Sequence, residues 1–124
     1  MHKILIVDDE EAIRALVRKY ATNEGYQVIE AVDGEKAIEA VENEYPDIVI
    51  MDIMMPNLDG FSATKEIRKK SSVPIIMLSA RDEEYNRIHG FEVGADDYVI
   101  KPFSGRELML RINAILSRYP KPST

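Results

Sequence analysis

Apolar residues fall along this chain in two alternating rhythms. Short, nearly unbroken apolar runs from Lys3 to Val7, Tyr26 to Ala31, Asp47 to Asp52, Pro74 to Ser79 and Asp97 to Ile100 read as strands. Continuous runs of this kind mark strands buried on both faces. Between them the spacing is helical: Ile13, Leu16, Val17, Tyr20 and Ala21 share one face, and Gly25 follows as a stop. Asp33 is placed to cap a helix carrying Ala37, Ile38 and Val41, and Phe61, Thr64 and Ile67 mark a third. Tyr85, Ile88 and Phe91 mark a short fourth helix, flanked by Gly90 and Gly94. Ser104 and Glu107 have capping-box spacing ahead of the fifth, which carries Leu108, Ile112, Ile115 and Leu116.

Strands and helices in strict alternation predict an α/β fold: a five-stranded parallel sheet with helices on both faces, joined by right-handed crossovers. In such sheets the functional crevice lies beyond the carboxyl ends of the strands, where the strand order switches.

Charge and composition narrow the classes. With 16 Lys and Arg against 22 Asp and Glu, the net charge is -6, which argues against a surface that neutralises nucleic-acid phosphates. The absence of cysteine excludes a disulfide, a thiolate zinc site and a thiol nucleophile, and fits a cytoplasmic protein. The opening MHKILIVDDE is too briefly apolar for a signal peptide or a membrane span. Residues 1–118 read as one domain. The tail SRYPKPST, with two prolines and small polar residues, reads as the start of an interdomain linker at 119–124, the effector domain being absent from these residues.

The strand ends carry the chemistry. Strand one runs into Asp8 and Asp9, strand three ends at Asp52, strand four at Ser79, and Lys101 with Pro102 follows strand five. An acid at the end of the run DIVIMD is costly unless it has a partner or a task. Like charges 4 Å apart cost about 4 kcal/mol at an effective dielectric near 20, so protons or a cation must relieve the cluster. Magnesium (Mg2+) suits an all-oxygen site. Beside it, Asp52 is placed to attack a phosphoryl group and form an acyl phosphate, with Lys101 and Ser79 meeting the phosphoryl oxygens. Taken singly, Asp8 and Asp9 could be acids at a helix N-terminus, Asp52 a cap and Lys101 a solvated lysine. Jointly they would be independent coincidences at one sheet edge.

The segments ILIVDDE, DIVIMDIMMPNLDG, PIIMLSA and GADDYVIKPF together resemble the receiver domains of two-component response regulators. They are most similar to the OmpR/PhoB-like subfamily, whose receiver precedes a winged-helix DNA-binding domain. The resemblance implies a flavodoxin-like, doubly wound (βα)5 fold and a phosphorylation-dependent switch with Asp52 as acceptor of phosphate from a sensor histidine kinase. It implies Asp9, Asp52 and the Met54 backbone carbonyl as direct magnesium ligands, Asp8 acting through water, and Lys101 on the phosphoryl group, with a cis bond to Pro102. Ser79 and Tyr98 match the switch pair, and serine keeps the hydroxyl where threonine is commoner. Met54 and Arg81 flank the route of attacking water.

The subfamily likeness also implies a homodimer on phosphorylation, through a face carrying Arg87, Asp96, Asp97, Glu107, Arg111 and Arg118. There Arg87 matches Glu107, and Asp97 matches Arg111, across the interface; the bland alternative is a solvated face of exposed pairs worth about 0 to 1 kcal/mol each. DNA is expected only through the absent effector domain, and no membrane partner is expected. The domain would not be a turnover enzyme, because its self-phosphorylation and self-dephosphorylation consume it as substrate. Rival readings are a phosphatase of the haloacid dehalogenase type, disfavoured because Met54 stands two after Asp52, and a flavin carrier, whose phosphate the loop DDEEA would repel. A receiver without an effector, acting by protein docking, is a third.

Overall fold

The computed structural model describes residues 1–80 and 84–118. Five strands and five helices alternate: β1 (Lys3–Val7), α1 (Glu11–Asn23), β2 (Gln27–Ala31), α2 (Gly34–Glu44), β3 (Ile48–Asp52), α3 (Gly60–Arg68), β4 (Ile75–Ser79), α4 (Glu84–Glu92), β5 (Asp97–Ile100) and α5 (Gly105–Leu116). All strands are parallel, in the order β2-β1-β3-β4-β5. This is the doubly wound, flavodoxin-like arrangement, and its order reverses between β1 and β3.

Side-chain alternation divides the core. Ile4 and Ile6, Ile48 and Ile50, Ile76 and Leu78, and Val99 pack with Val17 of α1 and with Leu108, Ile112 and Leu116 of α5. The intervening Leu5 and Val7, Val49 and Met51, Ile75 and Met77, and Tyr98 pack with Ala37 of α2 and with Ala63 and Ile67 of α3. The central strands β3 and β4 are buried at every position, which is why their apolar runs are continuous. Burying one such aliphatic side chain contributes about 1.5–3 kcal/mol.

Three strands begin one residue later than the apolar runs predict. Tyr26 N–H instead closes the turn after α1 on the Ala21 carbonyl at 3.0 Å. The Asp47 carboxylate accepts from Lys3 N–H at 2.6 Å, and Pro74 has no N–H to give, offering only its carbonyl to Val49 at 2.9 Å. The caps fall where expected: Asp33 accepts from Lys36 N–H, and Ser104 from Glu107 N–H.

Helix α4 corrects the expected pattern. Gly90 lies inside the helix and not beside it, and its α-carbon surface is the one laid against Met77 and Tyr98. Ile88 and Phe91 therefore turn outward, each 50 % exposed. A Gly on the inner face lets the helix approach the sheet closely and shifts the apolar stripe off its centre. Among the described residues, no helix is long and apolar enough to cross a membrane. Arg81 and the tail 119–124 lie outside the described residues.

Candidate functional site

Strand register assembles the acidic edge. Ile6 pairs with Ile50 and Val7 with Met51, so the next step brings Asp8 beside Asp52. Both continue the even-numbered positions of their strands, which face α1 and α5, and Lys101 continues β5 from Val99 on that same face. The lysine ammonium lies 3.0 Å from Asp8 Oδ2 and 3.2 Å from Asp52 Oδ1. Asp9 completes the group: Asp8, Asp9 and Asp52 each offer a carboxylate oxygen, all within 4.8 Å of one another.

The two neighbouring acids differ in setting. Asp8 is fully buried, and its carboxylate also accepts from Glu10 N–H at 2.9 Å, while Asp9 is exposed. Asp8 is thus held in place by the start of α1, and Asp9 faces solvent. Asp52, 3 % exposed, has its carboxyl pushed up to about 6, first by burial, then by the Asp8 charge, with Lys101 pulling the other way. Burial also works against the charge on Lys101, yet its bonds and charge contacts with Asp8 and Asp52 outweigh that and hold its pKa above the ordinary lysine value. One ammonium therefore serves more carboxylates than it can neutralise. An all-oxygen donor set with surplus negative charge and a raised carboxyl pKa fits a hard divalent cation such as magnesium.

Ser79 and Tyr98 fall on the other face. Ser79 follows Leu78, the register partner of Asp52, and is 2 % exposed. Tyr98 belongs to the core cluster shared with α2 and α3, is 7 % exposed, and its ring sits under Gly90 of α4. The Ser79 carbonyl accepts from Lys101 N–H at 2.7 Å, so β4 and β5 end in register. The Lys101–Pro102 peptide bond is cis. Met54 follows β3 and is 66 % exposed.

Two acids of the charged face, Asp96 and Asp97, are paired within the chain. Arg111 contacts both oxygens of Asp97, at 3.0 and 3.2 Å, and Asp96 accepts from Arg68 at 3.1 Å and from Ile75 N–H at 2.8 Å. Leu110, 59 % exposed, stands beside Asp97, Glu107, Arg111 and Arg118 in a shallow hollow. Arg87 of α4 is partly exposed.

Sequence reasoning missed two supports. Arg14, one turn into α1, donates to the Asp8 carbonyl at 2.9 Å and pairs with Glu30 of β2 at 3.1 Å, fixing the end of β1. Gly60, the first residue of α3, lies so close to β3 that a Cβ there would stand 2.3 Å from the Asp52 carbonyl oxygen. Its N–H bonds the Ile53 carbonyl at 2.9 Å, folding the loop back on the strand that carries Asp52. The segment PNLDG is the signal that could have shown it, since Gly at a helix start after a tight loop marks close backbone approach.

Comparison with known proteins agrees with this geometry. The model of the response regulator receiver domain family matches residues 4–113. A probable transcriptional regulator, ycf27, of Pyropia yezoensis is 52 % identical over 122 residues, covering 98 % of this chain and 50 % of that protein. The transcriptional regulatory protein ResD of Bacillus subtilis is 49 % identical over 122 residues, covering 98 % of this chain and 50 % of its own. The chain thus spans about half the length of these curated relatives. The receiver domain of Francisella response regulator 1452 superposes with a TM-score of 0.92 at 36 % identity, covering 97 % of this chain and all of that one. With the register, the acidic edge and these likenesses in agreement, this chain belongs to the receiver domains of two-component response regulators.

Proposed function

We propose that this domain is a phosphorylation-dependent switch in which Asp52 takes a phosphoryl group from the phosphohistidine of a sensor kinase. The observation that carries this reading is the buried carboxylate of Asp52, 3.2 Å from the Lys101 ammonium and grouped with Asp8 and Asp9. An Asp52 oxygen attacks phosphorus, the bond from phosphorus to the histidine nitrogen breaks, and the imidazole leaves. At neutral pH a carboxyl with its pKa near 6 is mostly ionised and so ready as a nucleophile. Asp8, Asp9, Asp52 and the Met54 carbonyl would hold magnesium, which when bound offsets charge on the transferring oxygens. Lys101 meets a phosphoryl oxygen, and the Ser79 hydroxyl donates to another.

The acyl phosphate carries about -1.5 to -2 charge where the ionised carboxylate carried -1, and it adds three acceptor oxygens. Ser79 drawn toward those oxygens leaves room beside Tyr98, under α4, and so links the site to the α4, β5 and α5 face. In this reading the Asp97–Arg111 pair, now within one chain, exchanges partners as a two-fold dimer forms with Arg87, Asp96, Glu107 and Arg118. A DNA-binding effector following the domain is the output, in keeping with relatives about twice this length that are named as transcriptional regulators.

Mass spectrometry after acetyl phosphate and magnesium tests the central step. The parent should gain one phosphate and Asp52→Asn none; equal labelling of both would sink the assignment. Sedimentation with beryllofluoride and magnesium should move the parent toward a dimer. An unchanged monomer at high concentration would remove the dimer from the reading.

A further inference from the structure

We infer that Asp33 and Asn57 form a brace that sets the cation affinity of the site by positioning the loop after β3. This rests on the proposed cation role of that loop, which carries Met54.

The loop spans residues 53–59 and crosses from the end of β3 to the start of α3. Within it Asn57 has φ of 68°, in the left-handed region that most side chains avoid and that asparagine tolerates better. Its side-chain amide donates to Asp33 Oδ2 at 3.0 Å. Asp33 is 8 % exposed, and its other oxygen accepts from Lys36 N–H at 2.9 Å as the cap of α2. One carboxylate thus closes the helix with one oxygen and holds the loop with the other.

A backbone bond runs alongside. Gly34 N–H donates to the Leu58 carbonyl at 3.2 Å. Any Cβ at position 34 would stand 2.5 Å from that carbonyl oxygen, so α2 and the loop meet too closely for a side chain there. At its far end the loop is pinned by Gly60 N–H on the Ile53 carbonyl. Met54 lies between the pinned points, and the residue itself is exposed, so the loop's backbone course sets where its carbonyl stands.

Magnesium demands near-ideal octahedral geometry and so tolerates little displacement of its oxygen ligands. Ordering the loop before binding removes an entropic cost that binding would otherwise carry. Asp33 and Asn57 are therefore positioning residues.

The test separates brace from cap. Asn57→Gly keeps a backbone suited to positive φ and removes the amide; Asp33→Ser keeps a capping oxygen but is too short to reach residue 57. Calorimetric titration of the cation-free protein with magnesium should show affinity three- to tenfold weaker in each variant. The double variant should be no weaker than the worse single one. Amide exchange at Gly34 should speed up in both, while core amides of β3 and β4 keep parent protection. Parent-like affinity in both single variants, with loss in Asp9→Asn, would overturn the brace alone. Equal affinity in the parent and Asp9→Asn would overturn the cation reading and the brace with it.

Discussion

Replacing Lys101 by methionine is expected to move two properties in opposite directions: phosphoryl uptake from acetyl phosphate slows by about 100- to 1,000-fold, while magnesium binding tightens. The ammonium stands 3.0 Å from Asp8 and 3.2 Å from Asp52. At an effective dielectric near 20 a contact of that length is worth about 5 kcal/mol of Coulomb attraction before desolvation is counted. In the resting protein Lys101 is thus a resident counter-ion that a divalent cation must share. Methionine keeps the length and apolar stem of the side chain without the charge, so the carboxylates attract magnesium more strongly. During transfer the same loss is harmful, because no fixed positive charge then meets the phosphoryl oxygen. The Asp52 carboxyl, which Lys101 holds down, should also rise above its present value near 6. Binding is best measured at pH 8, where the proton competes least. A variant with parent-like phosphorylation would show that Lys101 only balances the resting charges.

The run DIVIMD and the alternation of strands with helices made the sheet legible, because β3 and β4 are buried at every position and parallel strands need crossover helices. The acids at the strand ends were legible for the same reason, since register follows from which positions face which layer. What spacing could not tell was the setting of adjacent side chains. Asp8 and Asp9 read alike in sequence, yet one is fully buried against Lys101 and the other faces solvent. Nor could it tell that Asp97 meets Arg111 within the chain, because a charge pattern names possible partners without saying which copy supplies them. Helix α4 was misread at its inner face because a glycine there carries no apolar signal. The Asp33–Asn57 contact joins residues from different loops, and only the packed fold brings them to 3.0 Å.

In cation-free buffer, Asp52→Asn is expected to stabilise the domain above pH 6 and to leave its stability near the parent's at pH 4. The sign follows from the carboxyl of Asp52, whose pKa rises from an ordinary 3.8 in the unfolded chain to about 6 in the fold. Between those values the native state holds a proton that the unfolded chain has released. Stability that Asp52 lends is therefore full below about pH 4, falls as pH rises through 6, and is lost above it. A shift of this size corresponds to about 3 kcal/mol, a large part of the 5–15 kcal/mol typical of a domain. Asparagine is neutral throughout and escapes the loss, so urea midpoints of the two proteins should diverge from pH 4 to pH 7 and then run parallel. Magnesium should restore the parent at pH 7.5 by about 2.7 kcal/mol at one hundred times its dissociation constant, and should affect the variant less. A midpoint difference that stays constant from pH 4 to pH 8 would mean that Asp52 is not the group whose charge the fold resists. The strain that makes this carboxylate costly at rest would then have no part in readying it for phosphate.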